Sequence, residues 1–201
     1  MLIINHNCEK ICNFASNFIF SSMSTVKIID KTFKTSITEE QIKQRVKELG
    51  RQISKDMEGK NPLLIGVLNG SFMFAADLLR EITIPCEISF VKLASYEGIL
   101  STGKVKEIMG LNEDISGRTV IIVEDIIDTG RTMRQMLDSL SVRRPESIHI
   151  CTLFVKPDKL EEPLDIEYVA FSIPNEFIVG YGLDYDQQGR GLKEIYTLVE
   201  D

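Results

Sequence analysis

The sequence predicts an α/β fold, a twisted, mainly parallel sheet with helices on both faces. Val120-Ile121-Ile122-Val123 is a run of β-branched apolar residues, the habit of a strand buried on both faces. Leu63–Leu68 is a second such run. Each breaks at a short polar turn, Asn69-Gly70-Ser71 in one case and Asp128-Thr129-Gly130-Arg131-Thr132 in the other. Each turn then enters a helical pattern, and strand–turn–helix units repeated along a chain predict a parallel sheet.

At 201 residues and 43% hydrophobic, the chain suits one domain with a core and, at most, a small appended lobe. A net charge of −7 argues against a nucleic-acid binder, which needs a basic surface. Cys8, Cys12, Cys86 and Cys151 show no framework spacing, so a cytoplasmic protein with reduced thiols is expected. No stretch approaches a transmembrane helix in length, and no membrane partner is expected.

Residues 1–22 mix Asn, Ser, Phe and Ile without periodicity, and Asn13, Ser16 and Asn17 interrupt any signal-peptide core. They read as a loosely ordered extension. His6, Cys8 and Cys12 lack a fourth ligand for a metal site. Thr38-Glu39-Glu40-Gln41 is a capping box, and the helix behind it carries Ile42, Val46, Leu49, Ile53 and Met57 on one face. Gly59 and Asn61-Pro62 end it. Leu63–Leu68 follows, then a helix with Phe72, Ala75, Ala76 and Leu79 as its stripe. Ile84–Leu93 reads as a strand, and a polar, Gly-containing run extends to about Ile108. Within it, Gly98–Lys104 fits the first seven places of a P-loop, but Val105 stands where the magnesium-binding hydroxyl belongs. Ser147–Val155, Tyr168–Ser172, Phe177–Gly180 and Ile195–Val199 read as the remaining strands, with loops at 157–165 and Gln187–Arg190.

The central unit carries the chemistry. Glu124-Asp125 follow the apolar strand, and the Asp128–Thr132 turn opens a helix striped by Met133, Met136, Leu137 and Leu140. Ligands of open α/β sheets bind at the carboxyl ends of strands. Gly130 permits close backbone approach, and amides at a helix N-terminus cradle phosphate. Adjacent carboxylates repel phosphate but accept hydrogen bonds from sugar hydroxyls. Together they point to a sugar phosphate, phosphate on the turn and hydroxyls on the acids.

Val120–Thr132 resembles the signature of the type I phosphoribosyltransferases, which bind phosphoribosyl pyrophosphate (PRPP). From about Met23 to the C-terminus the chain is similar to the 6-oxopurine branch of that family, and Met23 is the expected natural start. The resemblance implies a small hood lobe, built mainly from C-terminal residues, over the site. It implies transfer of the phosphoribosyl group from PRPP to hypoxanthine or guanine, with Mg²⁺ as cofactor and a homo-oligomer, dimer or tetramer. Glu124, Asp125, Asp128, Thr129, Gly130, Arg131 and Thr132 match the PRPP-binding residues. Asp128 matches the general acid/base near N7 of the purine; its alternative is a helix N-cap with no chemistry. Leu68, Asn69, Gly70 and Arg190 match the pyrophosphate contacts, with a non-proline cis peptide at Leu68–Asn69. Many relatives carry Lys where this chain has Asn69, which leaves the backbone role and removes the charge. Ser95-Tyr96 match the pair in a flexible loop that closes over the reaction centre. Lys156 matches the reader of the 6-oxo group, Phe177 the ring that stacks on the purine, Ile178 the backbone at the base edge, and Asp184 a residue at base and metal. Glu124, Asp125 and Asp184 are the implied Mg²⁺ residues. Two rivals remain: a transferase for another base, against which stand Lys156, Phe177 and Asp184 together, and a non-catalytic regulator, against which stand the charge, Asp128 and Arg190.

Overall fold

The computed structural model describes residues 24–95 and 105–199. Its larger layer is a six-stranded sheet in the order β5-β4-β3-β6-β7-β8. Here β3 is Leu63–Leu68, β4 Glu87–Ser95, β5 Val105–Met109, β6 Thr119–Ile127, β7 Ser147–Val155 and β8 Tyr168–Ser172. All neighbours pair in parallel except β4 with the edge strand β5. Helices α1 (Glu39–Asp56) and α2 (Phe72–Glu81) cover one face, and α3 (Arg131–Ser141) the other.

The two-sided cover explains the apolar run of β6. Ile121 and Val123 face the α1/α2 core, while Val120, Ile122 and Ile127 face the α3 core. With both faces buried, none of the four positions Val120–Val123 exposes a side chain to water, and buried Thr119 ahead of them donates to Glu146 at 3.4 Å. The strand also runs past its acids. Glu124, Asp125 and Ile126 remain in β6, with Ile126 opposite Phe154 and Ile127 opposite Val155. The carboxylates therefore sit on sheet backbone, which holds them more firmly than a loop.

The Thr38 capping box forms as expected: Gln41 N–H donates to the Thr38 hydroxyl at 3.3 Å, and Thr38 N–H donates to Gln41 Oε1 at 2.9 Å. Arg45 on α1 donates to the carbonyls of Val169 and Ala170 at 2.9 Å each, which shields the edge of β8. The α2 stripe differs from the expected one. Phe74, Ala75 and Leu78 are buried, whereas Phe72 and Ala76 are exposed. Phe72–Leu79 is apolar on more than one face, so spacing alone does not choose the side that meets α1. The fourth strand starts at Glu87 rather than Ile84, since Pro85 has no N–H for the ladder. Val105 opens a strand, not a helix, which removes the P-loop reading.

The second layer is a four-stranded antiparallel sheet, β1-β2-β10-β9, that forms the hood. Its strands are β1 (Thr25–Ile28), β2 (Lys31–Ile37), β9 (Ile178–Val179) and β10 (Ile195–Leu198). Two of them come from the N-terminal segment, where the sequence suggested none. Their connection is Ile29-Asp30, with Ile29 at φ 55°, and this pair lacks the Asn-Gly or Asp-Gly signature of a hairpin turn. Fully buried Phe33 anchors the lobe with Ile28 and Val179. Residues 1–23, including the candidate metal residues His6, Cys8 and Cys12, lie outside the described residues, as does Tyr96 of the expected flexible loop.

Candidate active site

The carboxyl ends of β3, β6 and β7 converge below the hood. From β3 the chain turns through Leu68–Ser71, and the Leu68–Asn69 peptide is cis, as the resemblance implied. Ser71 closes the turn by donating from Oγ to the Val67 carbonyl at 2.6 Å. Gly70 is buried against Asp125: a β-carbon on it would fall 1.5 Å from Asp125 Oδ2. Only glycine lets the acid pair approach the backbone here.

From β6 come Glu124, Asp125 and Asp128. Glu124 is half-buried beside Asp125, and both burial and that neighbouring carboxylate hold its carboxyl well above the usual carboxylate range. Gly130, at φ 81°, is the N-cap of α3 and offers no side-chain cap bond; the first turn of α3 holds no acid. Of its leading N–H groups, that of Arg131 donates to the Thr129 hydroxyl at 3.4 Å, and those that follow are left for an anion. Asp128 is thus not the cap; it lies two residues earlier, on the wall of the site. A cavity of about 290 Å³ is lined by Leu68, Glu124, Asp125, Asp128, Thr129 and Thr132.

From β7 comes Lys156, 8% exposed, whose N–H donates to the Ile127 carbonyl at 3.1 Å. Burial pulls its ammonium below the usual lysine range; Asp128 opposes that shift and Lys159 adds to it. A second cavity, about 690 Å³, is lined by Asp128, Lys156, Lys159, Glu176, Phe177 and Thr197. Asp128 borders both cavities. Phe177 is 46% exposed and leans on Phe33 and Tyr185, with ring centroids 6.2 and 5.9 Å away. Ile178 points its side chain into the core, so only its backbone is open to a ligand.

The hood loop supplies the last group. Arg190 pairs with Asp184 at 2.7 Å and donates to the Gly182 carbonyl at 2.8 Å. Asp184 also accepts from Gln187 N–H at 2.8 Å. No cluster of three metal-ligating side chains forms among the described residues, so Asp184 does not join Glu124 and Asp125 in one. Ser95 ends β4, opposite Val105. The residues missed by sequence reasoning are Lys159, Lys34, Glu176 and Thr197. Lys159 had one local signal: Pro157 directly after Lys156 favours a tight turn that puts the residue three places on over the same site.

Residues 35–186, which contain the acid loop, the cis turn, Lys156, Phe177 and Asp184, match the phosphoribosyl transferase domain. The chain belongs to that family. A hypoxanthine phosphoribosyltransferase of Salmonella typhimurium is 46% identical over 171 residues, 84% of this chain and 96% of that one. A hypoxanthine-guanine phosphoribosyltransferase of Streptococcus mutans is also 46% identical, over 84% of this chain and 94% of its own. Among solved structures, a hypoxanthine-guanine phosphoribosyltransferase of Bacillus anthracis superposes with a TM-score of 0.78 at 44% identity, covering 83% of this chain and 96% of that one. The hypoxanthine phosphoribosyltransferase of Trypanosoma cruzi, in complex with the product IMP, gives 0.78 at 38% identity, over 82% and 93%. The parallel sheet flanked by helices is therefore the type I phosphoribosyltransferase fold.

Proposed function

We propose that this phosphoribosyltransferase moves the 5-phosphoribosyl group from PRPP to hypoxanthine or guanine, giving IMP or GMP and pyrophosphate. The observation that carries the reading is Asp128 shared between two cavities, one acidic and adjoining the Gly130 N-terminus of α3, the other holding Lys156 and Phe177. A phosphoribosyl donor suits the first and a 6-oxopurine the second.

The α3 amides and Thr129–Thr132 anchor the 5′-phosphate. That remote anchor holds the anomeric carbon in line for attack. Glu124 and Asp125 accept from the ribose hydroxyls, and the backbone of Leu68–Gly70 with Arg190 receives the pyrophosphate. Phe177 stacks on the base. Lys156 donates to its 6-oxo group, which a 6-amino group does not match. Asp128 exchanges the N7 proton.

Glu124, Asp125 and Asp184 offer hard oxygen donors of the kind Mg²⁺ prefers, and burial, then the neighbouring Asp125 carboxylate, hold the Glu124 carboxyl above its usual range, a cost that a cation relieves. Mg²⁺, held by Glu124 and Asp125 or by Asp184, would supply charge neutralisation to the pyrophosphate. We further infer a dimer or tetramer and a cytoplasmic setting, with PRPP and base as the partners. No helix among the described residues is long and apolar enough to cross a membrane.

The test is pyrophosphate release from PRPP and Mg²⁺ with hypoxanthine, guanine, xanthine and adenine offered separately. Turnover with the oxopurines but not adenine is the expected result. Turnover with adenine refutes the role of Lys156. Tight PRPP binding without turnover of any base refutes the enzyme.

A further inference from the structure

The two oxygens of Asp128 are unlike. Oδ2 receives the Lys159 ammonium at 2.9 Å. Oδ1 is buried and has no hydrogen-bond partner. A buried acceptor left idle costs free energy unless something arrives to use it.

Lys159 is placed by backbone rather than by chance. Pro157–Lys159 forms one 3₁₀ turn, closed by Lys159 N–H donating to the Lys156 carbonyl at 3.0 Å. Side chains three apart eclipse in such a turn, so Lys156 and Lys159 stand on the same side. The turn is tied to the acid loop at both ends: Lys156 N–H donates to the Ile127 carbonyl, and Glu161 N–H to the Thr129 carbonyl at 3.0 Å. An Arg131–Glu161 ion pair lies beside the second tie. The residue between Ile127 and Thr129 is Asp128, so its backbone is clamped before its side chain is considered.

We propose that Lys159 is a positioning residue for the transfer reaction. It holds Asp128 by Oδ2 and presents Oδ1 to the purine N7–H. The inference rests on Asp128 as the proton acceptor. During transfer, purine N9 attacks the anomeric carbon, and the bond to the pyrophosphate oxygen breaks with its electron pair on the leaving group. The N7 proton passes to Oδ1 and its bonding pair stays on N7. Asp128 ends neutral, and Lys159 keeps its charge throughout. The other charged groups that face Asp128 or its cavities are Lys156 at the end of β7, Lys34 on β2, Glu176 before β9, and Glu124 and Asp125 on β6. Among these, Lys159 is the one in direct ion-pair contact.

The test is kcat with hypoxanthine for the wild type, Lys159→Met, Lys159→Arg and Asp128→Asn, with KM for PRPP measured alongside. In Lys159→Met, kcat is expected to fall about tenfold or more, because the carboxylate loses the group that orients it. KM for PRPP should stay within about twofold, since binding at the phosphate loop is not the step affected. Lys159→Arg should restore most of kcat. A Lys159→Met kcat within about twofold of the wild type, a KM for PRPP that rises in step with the loss, or an Arg variant no better than Met, overturns the role of Lys159. Asp128→Asn at the wild-type rate overturns Asp128 itself, so the two failures are distinct.

Discussion

Gly182 of the hood loop lies directly over Gly70 of the β3–α2 turn: a β-carbon on Gly182 would fall 2.1 Å from the Gly70 carbonyl oxygen. Gly182 also sits at φ 107°, where an L side chain is strained. Its carbonyl receives Arg190, and its N–H donates to the Arg190 carbonyl at 2.9 Å. The hood therefore meets the sheet through bare backbone, next to the expected pyrophosphate site. Gly182→Ala should lose about 1–3 kcal/mol of stability, from the φ strain alone. It should also raise KM for PRPP, because the contact that seats Arg190 is pushed away. Denaturant unfolding and PRPP saturation curves check the two effects separately.

Gly70 is gripped from the other side by Asp125. A methyl at Gly70 would lie 1.5 Å from Asp125 Oδ2, and the second carboxylate oxygen 3.1 Å away is too close to relieve it by rotation. Either the turn or the acid must shift. Gly70→Ala should lower kcat/KM for PRPP by about 100-fold, the usual consequence of misplacing a binding group by an ångström. KM for hypoxanthine, measured at saturating PRPP, should change far less. Equal losses toward both substrates would mean that the damage is general misfolding.

The strands that carry the site were legible because burial on both faces leaves a run such as Val120–Val123 no alternative. The α1 cap was legible because its two hydrogen bonds need only local residues. The hood hairpin was not, since β2 pairs with β10 across most of the chain, Phe33 opposite Leu198, and no local window contains that partner. The turn Ile29-Asp30 gives no warning either. Glu124 and Asp125, which line the first cavity, were readable as candidates by type and place at a strand end, and Lys156, on the second, only through the family resemblance. Lys159 was not, because its meaning comes from facing Asp128, 31 residues away.

Lys156 ties the base cavity to pH. Burial is the first cause of its lowered ammonium pKa, with Lys159 acting in the same direction and Asp128 and Glu176 against it. The unfolded chain therefore binds the proton more tightly than the folded one between the lowered value and the ordinary 10.5. Stability associated with this group is fully present above 10.5 and is lost as pH falls through the folded value. Lys156→Met should accordingly gain most over the wild type at neutral pH, and the gain should shrink as pH rises toward 10.5. Urea titrations of both proteins at several pH values check the sign. The same variant should lose its preference for oxopurines over adenine.

A buried hydroxyl holds the hood loop to α2. Tyr181, 8% exposed and at φ 46°, donates to Asp77 Oδ2 at 2.7 Å. Burial, and then the Asp77 carboxylate, push its phenol far above the usual range, so it remains a donor at any working pH. On the other side of the loop, Tyr185 donates to Asp30 at 2.8 Å in the β1–β2 turn. Two tyrosines therefore moor the loop at different elements, one buried and one at the surface. Tyr181→Phe should cost about 1–3 kcal/mol, because Asp77 loses a donor while the ring stays packed. Tyr185→Phe should cost less, since water replaces an exposed partner. The hydrogen-exchange pattern separates them: Tyr181→Phe should speed exchange at Gly180–Leu183, whose N–H groups bond across the loop and to Arg190 and Leu192. Tyr185→Phe should leave those amides protected and loosen only the Asp30 turn.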